Sequence, residues 1–113
     1  MPIDLLLVYC ACPDSASAEN ISRQLVERGA AACVNALPGV SSTYLWQGII
    51  ETSEEILLLI KSSNKQYPEL ERIIVSLHPY AVPEIIAVSV DRGLPDYLHW
   101  VKQCTEPPTQ EPV

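Results

Sequence analysis

The alternation of apolar and polar residues divides the chain into strand-like and helix-like segments. An almost continuously apolar run over Ile3–Cys10 is typical of a strand buried on both faces. After Pro13, apolar residues recur at helical spacing and Gly29 suits the position after the last turn, so we predict a helix over Ser15–Arg28. A second helix is predicted from the i, i+3, i+4, i+7 spacing of Leu70, Ile73, Ile74 and Leu77.

A long hairpin is predicted between these two helices. Strand-forming residues run over Ala31–Trp46, with a bend or bulge expected at Pro38-Gly39, and return over Ile49–Lys61. Between the two arms, Gln47-Gly48 suits a two-residue turn. At about 3.4 Å per residue the arms would extend to roughly 55 and 45 Å, whereas a compact domain of this length is roughly 35 Å across. The hairpin is therefore expected to overhang its own domain, unless the bend folds it back.

The apolar tip of this hairpin needs a partner. It carries Tyr44 and Trp46 on one face, and an isolated two-stranded ribbon is only marginally stable in water. Unpaired strand edges and exposed aromatic residues both favour association, and for a lone chain the expected partner is another copy. We therefore predict a homo-oligomer with Tyr44 and Trp46 at its interface.

Two further elements complete the pattern. A fourth strand is predicted over Ile85–Val90, and a short helix over Asp96–Gln103. The order β-α-β-β-α-β plus a terminal helix is the ferredoxin-like α+β arrangement. We expect a single domain over residues 1–104 and, because residues 105–113 are polar and proline-rich, a disordered tail. This fold by itself says little about function.

Charge and composition exclude several classes of function. Fourteen acidic and seven basic residues give a net charge of −7, which leaves no basic stripe for nucleic acid or for an anionic membrane surface. No segment reaches the roughly 18 apolar residues of a membrane span, and no basic leader precedes the first strand. We therefore expect a cytoplasmic protein with four reduced cysteines.

The connector His78–Glu84, between the second helix and the fourth strand, is a candidate binding segment. Its prolines, Pro79 and Pro83, each fix their own φ and push the preceding residue towards an extended conformation. A stiff connector holds the His78 imidazole, the Tyr80 phenol and the Glu84 carboxylate in fixed directions. The alternative is a rigid turn whose His78 and Tyr80 only cap neighbouring elements.

The cysteines form no CxxC pair and no local zinc-finger spacing. Cys10 and Cys12 are two residues apart, so they face the same side if the strand continues through both. Such a pair is either a soft two-thiolate clip or a coincidence at a strand end. Cys33 lies among Ala and Val residues, where a buried thiol often acts as a small hydrophobic group.

Four stretches are informative in combination: Ala32–Val40, Tyr44–Glu51, His78–Ile85 and Asp96–Trp100. Together they resemble the CutA (CutA1) divalent-cation tolerance proteins, and the resemblance covers about residues 3–102. It implies a ferredoxin-like subunit in a tight homotrimer, similar in architecture to the PII signal-transduction proteins. It also implies a role in tolerance of copper and other divalent metals, with no established catalytic reaction and no required cofactor.

The resemblance further implies copper ligands. The positions proposed in the family match Cys10, Cys33 and His78, whereas Cys12 and Cys104 lie outside the family pattern. Because Cys33 begins the second strand and Cys10 ends the first, a single three-ligand site within one subunit is geometrically doubtful. Sites shared between subunits, or separate sites at His78 and at the Cys10/Cys12 pair, are the alternatives.

Two other functions compete with metal binding. A PII-like small-molecule sensor would bind its ligand in clefts between subunits, although only four glycines and no phosphate-binding glycine loop are present. An enzyme with Cys10 as nucleophile would gain from a nearby helix N-terminus, yet no general base accompanies the thiol and no reaction follows. The residues assigned to a cleft or interface are Tyr44, Trp46, Glu51, Lys61, Tyr80 and Glu84.

Overall fold

A computed structural model describes residues 3–106 of the chain. The elements are β1 (Leu5–Cys12), α1 (Ser15–Glu27), β2 (Cys33–Trp46), β3 (Ile49–Ser63), α2 (Tyr67–Leu77), β4 (Ile85–Ser89) and α3 (Pro95–Cys104). The predicted α+β fold is confirmed, and the strands, α1 and α3 begin and end within two residues of the predicted positions. Within the described residues, none of the helices is long and apolar enough to cross a membrane.

The four strands form one antiparallel sheet in the order β2-β3-β1-β4. β1 and β3 are the interior strands, which explains why the β1 sequence is apolar at almost every position. β1 continues beyond its predicted end because its pairing with β3 extends to Cys12, opposite Ile56. Residues directly opposite one another in this register share a face, so the pairing assigns each side chain to one side of the sheet.

The main core lies between the sheet and the two helices α1 and α2. Its fully buried side chains are Val8, Cys10, Cys12, Ile21, Leu25, Leu58, Ile60, Leu70, Ile73 and Ile74. The helical members repeat at the spacing that predicted the helices, so each helix buries one apolar stripe. Full burial of each large aliphatic side chain stabilises the fold by about 1.5–3 kcal/mol.

Local signals set the ends of α1. The Asp14 carboxylate accepts a hydrogen bond from the backbone N–H of Ser17 at 2.8 Å, which makes it the N-cap and lowers the pKa of its carboxyl group. At the other end, Gly29 has a φ of +71°, a left-handed conformation that glycine adopts without steric penalty. Glycine therefore ends α1, as the sequence predicts.

The β2–β3 hairpin has the predicted turn and the predicted irregularity. Gln47 and Gly48 have φ values of 48° and 81°, the left-handed pair that a two-residue hairpin turn requires. The register shifts between Leu37 and Val40, where the bulge was expected. The molecule measures 57 × 32 × 21 Å, and large apolar side chains at the hairpin tip are exposed, so the hairpin does not fold back onto the domain.

The sheet face opposite α1 and α2 is only partly covered. α3 covers one end of this open face, where Val101 packs against Leu5 and Ala32. Ile86 and Val88 of the edge strand β4 share the face with β1 residues and remain 57% and 45% exposed. A single chain thus leaves apolar surface uncovered both on the open face and at the hairpin tip.

The predicted tail begins inside the folded part of the chain. Thr105 is buried, and its hydroxyl donates a hydrogen bond to the carbonyl oxygen of Val101 at 2.9 Å, so it belongs to the end of α3. Residues 107–113, the rest of that tail, lie outside the described residues. The expectation of a disordered tail there stays a prediction.

Candidate metal site

Two thiols lie side by side at the end of β1. Because the strand stays regular through Cys12, both Cys10 and Cys12 point to the helix-facing side of the sheet. Neither side chain has exposed surface, and both thiols are free. The expectation that the two cysteines share a face is confirmed.

The third group is His78, which ends α2. Its φ of −73° and ψ of 137° are extended, as predicted for a residue that precedes proline. The ring is buried: Nε2 donates to the carbonyl oxygen of Ala11 at 2.8 Å, and Nδ1 accepts from the backbone N–H of Tyr80 at 3.1 Å. Since Nδ1 is an acceptor here, the ring hydrogen is on Nε2, and the backbone occupies both ring nitrogens.

These three side chains form one compact cluster. The Sγ atoms of Cys10 and Cys12 and a ring nitrogen of His78 all lie within 4.8 Å of one another. The end of β1 thus approaches the connector that carries His78. Thiolate and imidazole are the ligands that soft and borderline ions such as Cu(I) and Zn²⁺ prefer.

Cys33 does not join this cluster. It lies opposite Lys61 of β3, which itself lies opposite Leu7 of β1, so the Cys33 side chain is on the open face of the sheet. Cys10 points to the other face and is two strands away, at about 4.8 Å per strand. The three-ligand set Cys10, Cys33 and His78 is therefore not assembled within one subunit, and Cys12 stands in the place expected for Cys33.

The two thiols of the cluster have different acidities. Hydrogen bonding with Cys12, followed by burial, raises the pKa of Cys10, and the nearby carboxylates of Glu84 and Glu55 act in the same direction. Hydrogen bonding from Cys10 lowers the pKa of Cys12, although burial, Asp14 and Glu55 oppose this effect. The hydrogen bond between the two sulfurs thus acts on their pKa values in opposite directions.

A buried carboxylate borders the cluster. Glu55 of β3 is 7% exposed and accepts a hydrogen bond from the Tyr80 hydroxyl at 2.9 Å. Burial and this bond raise the pKa of Tyr80 from 10.0 to about 12. The bond fixes the connector to the hairpin, while the ring of His78 lies 4.9 Å from that of Tyr80.

Tyr80 should make the stability of the protein depend on alkaline pH. A phenol whose pKa is higher in the folded state stabilises the fold below its unfolded pKa of 10.0, and this contribution is lost as pH rises through about 12. Urea unfolding between these pH values is expected to show a steeper loss of stability for the wild type than for Tyr80→Phe. Parallel pH profiles for the two proteins would contradict the role given to this hydroxyl.

The remaining predicted cleft residues are dispersed. The Tyr44 hydroxyl is 2.7 Å from the Ser53 hydroxyl, and Glu51 lies opposite Tyr44 in the hairpin register. Trp46 is at the hairpin tip, exposed. Two more residues lie apart from that tip: Lys61 donates a hydrogen bond to the Asn35 side chain, and Glu84 is exposed near Cys10.

Reasoning from the sequence missed Glu55. It follows another glutamate in a polar part of the hairpin, and nothing local distinguishes the buried carboxylate from the exposed Glu54. Glu55 is buried and Glu54 is exposed because the connector brings Tyr80 over β3, where its hydroxyl bonds the Glu55 carboxylate. Cys12 had a usable signal, because its spacing from Cys10 placed both on one side of a strand.

Fold and cluster together define a class: a ferredoxin-like α+β subunit with a buried dithiol–imidazole group at the end of its first strand. Comparison with known proteins identifies the family. The sequence profile described as "CutA1 divalent ion tolerance protein" matches residues 6–104. The chain belongs to this family, and the family prediction is confirmed.

Individual relatives agree with this assignment. Mouse "Protein CutA" is 42% identical over 106 residues, which are 94% of this chain and 60% of that protein. The "Divalent-cation tolerance protein CutA" of Thermus thermophilus is 40% identical over 99 residues, which are 88% of this chain and 96% of that one. The crystal structure of CutA from Xylella fastidiosa superposes with a TM-score of 0.89 at 50% identity, covering 91% of this chain and 99% of that one. The chain thus spans about three-fifths of the mouse relative's length.

Proposed function

We propose that this protein takes part in cellular tolerance of divalent metal ions, as a cytoplasmic homotrimer that binds copper. The observation that carries the proposal is the cluster of two thiol sulfurs and an imidazole nitrogen within 4.8 Å of one another. Its two sulfur atoms match the softness of copper, and the family is described by tolerance of divalent ions.

The charges around the cluster support binding of a cation. Asp14, Glu55 and Glu84 are close enough to influence the acidity of the two thiols, and the chain as a whole carries a net charge of −7. Negative charges that disfavour a bare thiolate favour a thiolate neutralised by a metal ion. The same field attracts cations from solution to this end of the sheet.

The exposed apolar surface supports the homotrimer. The open face presents Ile86 and Val88, and the hairpin tip presents Trp46, Ile49 and Ile50, which are 57%, 64% and 74% exposed. A soluble monomer rarely leaves this much apolar area uncovered, and its long hairpin has a free edge strand. Packing of identical chains with closed symmetry would cover these surfaces.

The free cysteines support a cytoplasmic location, and the burial of Cys10 argues against its use as a nucleophile. All four cysteines are free thiols, the form maintained by a reducing compartment. A cysteine nucleophile needs an accessible thiolate, whereas Cys10 is fully buried and its pKa is raised. We therefore assign the protein a binding role.

Copper binding is tested by thermal unfolding of the reduced protein. Copper supplied as Cu(I) is expected to raise the Tm, by an amount that increases with ligand concentration because only the folded state holds the cluster together. Nucleotides and central metabolites are the comparison ligands. A shift with a nucleotide and none with copper would overturn the copper proposal and favour a small-molecule sensor.

A further inference from the structure

The strand geometry keeps the two thiols of β1 apart. Residues two apart in an extended strand have Cα atoms about 6.7 Å apart, at the upper end of the roughly 4.4–6.8 Å found in disulfides. The pairing of Cys10 with Leu58 and of Cys12 with Ile56 holds β1 in that extended form. This Cα spacing is near the upper limit at which two cysteines form a direct S–S bond.

The distance between the Sγ atoms of Cys10 and Cys12 suits a single metal ion. Metal–thiolate bonds are about 2.3 Å long, so an ion midway between two sulfurs requires them to be at most about 4.6 Å apart. The Sγ atoms of Cys10 and Cys12 lie within 4.8 Å of each other, so both are in reach of one ion. Both sulfurs are fully buried, which favours a soft ion that binds without retained water.

His78 is not free to act as a third ligand. Its Nδ1 accepts from the Tyr80 backbone N–H, and its Nε2 donates to the Ala11 carbonyl oxygen. Coordination through either nitrogen would leave a backbone group without its partner, at a penalty of about 1–3 kcal/mol. The donors available without rearrangement are therefore the two sulfurs alone.

From this geometry we propose that Cys10 and Cys12 form a two-coordinate thiolate site for Cu(I), with His78 and Cys33 outside the ligand set. Zn²⁺ takes four ligands, and Ca²⁺ and Mg²⁺ take six or more oxygens, so a pair of buried sulfurs suits neither class. Cu(I) accepts two thiolates.

Binding replaces protons by the metal ion. The S–H bond of each protonated thiol breaks, its proton passes to solvent, and the sulfur lone pair forms the bond to copper. Copper enters as Cu(I) and leaves the step as Cu(I), so no electron is transferred.

The test is anaerobic titration of the full chain with Cu(I) against a chromophoric Cu(I) chelator. The wild type is expected to bind one Cu(I) per chain. Cys12→Ser and Cys10→Ser should each lower the affinity by more than about 100-fold, beyond the loss typical of a residue that only supports a ligand. Cys33→Ser and Cys104→Ser are the matched controls and should bind like the wild type.

X-ray absorption at the copper edge, on the loaded wild type, tests the ligand set without relying on any variant that folds poorly. Two sulfur neighbours and no nitrogen are expected. An imidazole nitrogen bound to copper would overturn the proposal.

The inference rests on the copper binding proposed above, and the outcomes of the titration separate the two proposals. A wild type that binds no Cu(I) overturns both. Unchanged affinity in Cys12→Ser overturns only the two-thiolate site.

Discussion

A Trp46→Lys variant is expected to sediment as a monomer at micromolar concentration, where the wild type is expected to sediment as three 12.5-kDa chains. Trp46 lies at the tip of a hairpin that overhangs its own domain, and its ring is 57% exposed in the single chain. An interface anchored by tryptophan loses at least about 2 kcal/mol per subunit when the ring is removed. The lysine also inserts a charge into a surface that would otherwise be buried.

The matched control is Val75→Lys. Val75 is 54% exposed, almost as much as Trp46, but it lies on α2, on the layer away from the hairpin and the open face. This variant should keep the trimer mass. A wild type that sediments as a monomer, or a Trp46→Lys protein that keeps the mass of three chains, would contradict the interface assigned to the hairpin tip.

Much of the fold was predictable because its signals are local. The Gln47-Gly48 turn, the bulge between Leu37 and Val40, and the end of α1 at Gly29 each depend on a few neighbouring residues with strong backbone preferences. The helical stripe of α2 depends only on spacing along the chain. These signals survive folding unchanged, so the elements and their order follow directly from them.

The candidate site was only half predictable, because it depends on register between distant strands. That Cys10 meets His78 follows from the stiff connector and from the position of β1 inside the sheet. Family resemblance grouped Cys33 with them, yet the register across β2, β3 and β1 places Cys33 on the opposite face. The sequence contains no local mark of that register.

His78 also illustrates how one residue can be interpreted in two ways. An imidazole before proline was assigned a binding role, with capping as the alternative. In the fold it caps: it bonds the Ala11 carbonyl oxygen and the Tyr80 N–H, and it does so beside two thiols. The His78 ring therefore lies near the two sulfurs because of its hydrogen bonds to the backbone. This proximity alone does not make the ring a metal ligand.

His78→Ala is expected to destabilise the protein by about 2–4 kcal/mol, because a buried carbonyl oxygen and a backbone N–H lose their partners and a void opens beside the thiols. Urea unfolding at one fixed protein concentration measures this loss, since an oligomer's apparent stability depends on concentration. His99→Ala is the matched control: His99 is an exposed residue of α3, and its replacement should change stability by less than about 0.5 kcal/mol.

Folded His78→Ala should still bind one Cu(I) per chain. Unchanged stability would contradict the capping role, and loss of copper from a folded variant would make His78 a ligand.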